Sequence, residues 1–200
     1  AVAWDFPNLD VAAVCADYTK EFQVEDPKRK KASRNVAFFP GSTIGNFTPN
    51  EARKFLLKLA KSLGKGSGLL IGVDLKKDAS IISAAYNDAV GITSDFNLNL
   101  LTRINRELNG NFELNAFRHK ASYTKRTGRI RMELVSLKKQ TVMVGNEEYD
   151  FMKDETIHTE NSYKYSISDF RNLCSTAGYT PVACWTDSNS LFSVHYFTAE

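Results

Sequence analysis

Cysteine is scarce in this sequence: Cys15, Cys174 and Cys184 are the three among 200 residues, an odd number with no CxxC pair. That usage suits reduced, buried thiols in a reducing, cytoplasmic compartment better than a disulfide framework or a zinc site. His119, His158 and His195 also lack metal-ligand spacing, so no metal is expected. No stretch approaches the roughly 18 uninterrupted apolar residues of a spanning helix, which argues against a membrane protein. An excess of one charge is missing too. Lys and Arg number 26 against 23 Asp and Glu, and a dispersed +3 does not point to a nucleic-acid partner. The chain opens Ala1-Val2-Ala3-Trp4 with no Met, no basic n-region and no apolar h-region. It is neither a translation start nor a signal peptide, which leaves a processed end or a cut through a longer protein. What remains, 42% hydrophobic and 24% charged, is an ordinary soluble domain of about one core.

Local patterns predict an α/β chain. Val11 to Ala16 reads as a strand buried on both faces, and Asn35 to Phe39 as another. Thr48-Pro49-Asn50-Glu51 carries the signature of a helix start, with a capping threonine, proline at the first helical position and glutamate three residues after the cap. Phe55, Leu56, Leu59 and Leu63 continue it, and Leu69 to Leu75 forms the next strand. Strand, helix and strand at this spacing make a βαβ unit with parallel strands. Ala79 to Asn109 keeps helical periods on either side of a break at Gly91. Phe117 to Val144 alternates apolar and polar with turns at Thr127-Gly128 and Gly145-Asn146, predicting an antiparallel insertion with a bulge or strand end near Val135. A helix follows from Ser168, its expected cap, to Gly178, and two strands, Pro181 to Trp185 and Leu191 to Phe197, close the chain.

Ligands of open α/β sheets sit at the carboxyl ends of the strands, which singles out Asp17-Tyr18, the loop Gly41 to Asn46, and Asp74. Gly41 and Gly45 allow close backbone approach, and Asn46 offers a donor and an acceptor. An ordinary strand-to-helix turn explains the same glycines, and a turn or cap role the same aspartate. The basic run Lys28 to Arg34 reads as a solvated loop. Glu160 and Ser162 fall on one side of an extended segment.

The segments Phe38-Phe39-Pro40-Gly41-Ser42-Thr43-Ile44-Gly45-Asn46-Phe47, Gly72-Val73-Asp74-Leu75-Lys76-Lys77-Asp78, Ala85-Tyr86-Asn87-Asp88-Ala89, Phe96 to Leu108 and Thr159-Glu160-Asn161-Ser162-Tyr163-Lys164 supply more. In this order they resemble consecutive motifs of the histidine-specific, S-adenosylmethionine-dependent methyltransferases of ergothioneine biosynthesis. The resemblance implies a Rossmann-like class I methyltransferase sheet, its later strands only and ending in an antiparallel strand, with an inserted helical and antiparallel β subdomain. It divides the chain into a partial core over 1–78, a substrate-binding insertion over 79–165 and a return to the core over 166–200. It implies S-adenosyl-L-methionine as cofactor, with Asp17 and Tyr18 beside its adenine and Gly41, Ser42 and Thr43 at the junction of cofactor and substrate. It implies transfer of methyl to the α-amino group of L-histidine, with Asn46 and Tyr86 on the amino-acid end and Glu160, Ser162 and Met132 around the imidazole. Read without the family, Met132 is a core residue of its strand and Tyr86 a half-buried helix residue.

A carboxylate and a hydroxyl can satisfy both imidazole nitrogens, and such a site rejects apolar analogues strongly. No base for deprotonating the amine stands out. The family's glycine-rich cofactor motif and the acidic residue after its second strand both precede the segment resembling Asn8 to Tyr18. The expectation is therefore a carboxyl-terminal portion of a longer enzyme, inactive alone, that works with its amino-terminal portion. A relative methylating another amino acid, or a non-catalytic binding module, are the rival readings.

Overall fold

The computed structural model describes residues 2–9, 11–20 and 33–200. After a short helix α1 (Val2–Asp5), the sheet begins at β1 (Val36–Phe39) and passes through a 3-10 turn (Thr43–Asn46) into α2 (Pro49–Leu63). The helix starts where its local chemistry requires: the Thr48 side chain accepts from the Glu51 amide while the Glu51 carboxylate accepts from the Thr48 amide, with Pro49 between them. β2 (Gly68–Asp74) then lies parallel to β1. The last two strands, β8 (Tyr179–Thr186) and β9 (Phe192–Ala199), complete a four-stranded sheet of order β1-β2-β9-β8 in which β9 runs antiparallel to both neighbours. One face of this sheet packs against α2 and α5 (Ile167–Ser175) through Ile44, Leu56, Leu69, Ile71, Val73, Phe170 and Phe197. On the other face Val36, Phe38 and Trp185 are exposed.

Between β2 and α5 the chain builds a second layer. Helices α3 (Ala79–Tyr86) and α4 (Ile92–Glu107), separated at Gly91 as expected, cover a sheet of order β3-β4-β7, formed by β3 (Phe117–Thr124), β4 (Arg129–Ser136) and β7 (Thr156–Tyr163). A hairpin of β5 (Gln140–Val144) and β6 (Glu147–Phe151) flanks it. Leu101, Phe112, Phe117, Leu134 and Val142 form one cluster here, and Ile82, Ile130 and Met132 another.

Three expectations are corrected. Val11 to Ala16 is not a strand: residues 11–17 are irregular and exposed, Cys15 included. A strand exists through its ladder, and among the described residues none pairs with this segment or with the outer edge of β1. Helix α5 is capped by Ser166, not Ser168. Asp169 stands three residues after Ser166 and closes a reciprocal box, a partner Ser168 lacks. Near Val135 the expected strand end falls at Ser136, but the register shift lies earlier, between Met132 and Glu133 on the β4–β7 pairing. β4 is the central strand, and with Glu133, Leu134 and Val135 all buried it needs no strict alternation. Of the basic run, residues 28–32 lie outside the described residues, and the Arg34 guanidinium donates to the Tyr196 hydroxyl.

Candidate functional site

The carboxyl ends of β1 and β2 are joined by one hydrogen bond: the Asp74 amide donates to the Ser42 hydroxyl at 2.9 Å. This holds the loop after β1 across the top of the sheet, with Gly41 and Ser42 both at positive φ. Among the described residues, and its chain neighbours apart, no atom lies within 4 Å of where a Gly41 Cβ would stand, so the backbone at this strand end faces open space. Such a cradle fits a polar ligand lying across the sheet top. Farther along, Gly45 packs so tightly on β7 that a Cβ there would sit 2.7 Å from the Tyr163 carbonyl. The absence of a side chain thus brings the next residue, the exposed Asn46, beside the strand carrying Glu160 and Ser162.

On β7, Glu160 is paired with Met132 and Ser162 with Ile130, so strand alternation puts all four side chains on one face. Tyr86, the last residue of α3, reaches that face and donates to the Ser162 hydroxyl at 2.8 Å. Its own backbone is anchored: His119 Nε2 bonds the Tyr86 carbonyl at 2.8 Å, while His119 Nδ1 meets the Asn97 amide at 2.9 Å. A carbonyl on one nitrogen and an N–H donor on the other define the tautomer with the proton on Nε2. Glu160 is half-buried, and burial pushes its carboxyl above the ordinary range, with the Lys164 ammonium pulling the other way. Among the described residues no side chain hydrogen-bonds the Glu160 carboxyl, which leaves it open to a ligand.

At the centre lies Lys164, 3% exposed. Its ammonium contacts Asp74 Oδ2 at 2.7 Å, the Tyr86 hydroxyl at 2.7 Å and the Ser162 hydroxyl at 2.8 Å. Asp74 is held a second time by Lys77. A continuous polar chain therefore runs from the β1 loop through Ser42, Asp74 and Lys164 to Ser162 and Tyr86. Its backbone is equally fixed, because the Lys164 amide donates to the Gly128 carbonyl and the Tyr165 amide to the Asp74 carbonyl.

The structure brings Tyr86, Met132, Glu160 and Ser162 together and links Ser42 to them. The Tyr86 hydroxyl is turned to Ser162 and Lys164. Asp17 and Tyr18 lie apart from this cluster. Asp17 accepts from the Thr19 amide and hydroxyl, which hold its carboxyl below the usual range, and Tyr18 packs edge-on to Phe39 and Phe55 at 5.9 and 6.0 Å. Lys164 is the residue that sequence reasoning missed, and Asp74 was marked by place without a role. The alternation Glu160, Ser162, Lys164 carried a signal, since a third polar residue at the same spacing continues the same face.

A parallel crossover, strand-end loops over the sheet and a polar cluster on an appended antiparallel sheet define a Rossmann-like domain with an inserted helical and antiparallel β subdomain. The sequence profile of the histidine-specific, S-adenosylmethionine-dependent methyltransferases matches residues 1–199, and the chain belongs to that family. It is 37% identical over 94% of its length to a histidine N-alpha-methyltransferase of Mycolicibacterium smegmatis, and 36% identical over 97% to one of Mycobacterium tuberculosis. It spans 58% and 60% of those two relatives. An L-tryptophan methyltransferase of Psilocybe serbica is 28% identical over 77% of the chain, which covers 44% of that protein.

Proposed function

We propose that the protein containing these residues is an S-adenosylmethionine-dependent N-methyltransferase acting on the α-amino group of L-histidine, in a cytoplasmic, ergothioneine-type pathway. The observation that carries this reading is the shared face of Glu160, Ser162 and Met132, with Tyr86 bonded to Ser162. A carboxylate acceptor and a hydroxyl two residues apart match the two nitrogens of an imidazole, and Met132 supplies an apolar wall. Asn46, beside β7, holds the amino-acid end. The open backbone at Gly41, with Ser42 and Thr43, receives the cofactor near the substrate, and Asp17 and Tyr18 serve its adenine side. The cofactor supplies a methyl group on a sulfonium centre. The protein's part is to place the amine in line with it, and such positioning can account for most of the rate.

A methyl-transfer assay across the amino acids, run on the full chain including any sequence before Ala1, tests this reading. Histidine is expected to turn over at least about tenfold better than tryptophan, as expected when a site's buried polar groups must be matched. Equal turnover of tryptophan would favour the specificity named for the Psilocybe relative, and no turnover of any amino acid would favour a binding module.

A further inference from the structure

Lys164 belongs to no step of the reading above, yet it is the most buried charged group in the pocket wall. An ammonium has three N–H donors and no acceptor, and here each donor has one oxygen: Asp74 Oδ2, Tyr86 and Ser162. The consequence falls on Ser162. Its hydroxyl oxygen has two lone pairs, one taken by Lys164 and the other by the Tyr86 hydroxyl. Its own hydrogen is therefore the one bonding element left, and it points away from the cluster, toward the face shared with Glu160. The wall then presents one donor, Ser162, and one acceptor, Glu160.

We propose that Lys164 is a positioning residue that locks Ser162 as a hydrogen-bond donor, so that the pocket accepts the neutral imidazole in a single tautomer and rejects the imidazolium. This rests on the histidine reading. A neutral ring offers one bare nitrogen to Ser162 and one N–H to Glu160. An imidazolium would set an N–H against the Ser162 hydrogen, with the Lys164 ammonium directly behind it. The charged and titratable groups facing this point are Lys164 just beyond β7, Glu160 on β7, Tyr86 on α3, Tyr123 and His119 on β3, and Asp74 and Lys77 at and after the end of β2.

The test is the Michaelis constant of the full chain for histidine and for 1,2,4-triazolylalanine between pH 5 and 8. The triazole keeps a similar ring with an acceptor nitrogen and an N–H but stays neutral throughout, so titration of Glu160 or of the α-amine cancels in the ratio of the two constants. In the wild type the histidine-to-triazole ratio should be flat above the imidazole pKa of about 6.5 and rise about tenfold per pH unit below it. A flat wild-type ratio overturns the proposal. In the triple substitution Lys164→Met, Asp74→Asn and Lys77→Met, which removes the Lys164–Asp74 pair together with the second cation on Asp74, Ser162 can turn to accept and the ratio should flatten while the KM at pH 8 rises. A steep ratio in that variant, once folded, also overturns it. If that variant does not fold, Ser162→Ala decides: with the donor gone and only the Lys164 charge opposing the cation, the ratio must rise less than in the wild type, and a ratio as steep as the wild type's overturns the proposal. Absence of any turnover of histidine by the wild type would count against the histidine reading and not against the lock.

Discussion

His195 is fully buried on β9, its ring stacked on Phe197 and tilted against Phe170. The Ser193 hydroxyl donates to the Val73 carbonyl at 3.2 Å and so receives the proton of His195 Nε2 at 2.9 Å, while Nδ1 has no partner among the described residues. Burial first, and the Arg171 charge second, hold the imidazole pKa down at about 4 against 6.5 for a free ring. The sign follows from proton uptake. Below pH 6.5 the unfolded chain binds a proton that the folded chain refuses, so stability is full above 6.5 and lost as pH falls toward 4. The loss amounts to about 3 kcal/mol for a shift of this size. Denaturant titrations at half-unit pH steps should show this slope, and His195→Gln should remove most of it; a variant as pH-sensitive as the wild type would refute this account. That His195 is a core residue was not legible in the sequence, because alternation gave its face but not the layer of α5 that covers it.

Among the elements, two local signals had opposite fortunes. Thr48, Pro49 and Glu51 announced α2 correctly because a capping box is closed by residues within one turn. At α5 the same rule applied two residues earlier, at Ser166. The Ser166→Ala substitution should cost about 1 kcal/mol and Ser168→Ala only a few tenths, read from thermal melts of the two proteins side by side. The β3–β4 turn is more demanding. Gly128 has φ of +66°, and a Cβ there would stand 2.2 Å from the Lys164 carbonyl oxygen, so alanine meets both backbone strain and a clash. Strain alone is worth about 1–2 kcal/mol. Gly128→Ala should therefore exceed about 2 kcal/mol and, by moving Lys164, also raise the KM for histidine; an effect on stability with no change in KM would separate the turn from the pocket. The missing strand at residues 11–16 shows the limit of such reading, since a strand depends on neighbours that local composition cannot report.

At the scale of the molecule, the two sheets meet where β2 ends and the segment after β7 returns, through the Leu75–Tyr165 bridge and the Lys164–Asp74 pair. Removing one partner of a largely buried pair leaves a charge without compensation, whereas an exposed pair such as Arg103–Glu107 is screened by water. Asp74→Asn should cost about 3 kcal/mol and Glu107→Ala far less, measured by urea unfolding; equal costs would mean that the junction carries no special share of stability. What the sequence determined by itself was what neighbours along the chain decide: the βαβ unit, the start of α2, the hairpin turns, and the ordered motifs that carry the family. What only the tertiary structure decided was which side chains share one small volume. Asp74, Tyr86, Ser162 and Lys164 lie on separate elements, and the order of their hydrogen bonds exists only once packing has removed water and left each donor one acceptor to choose.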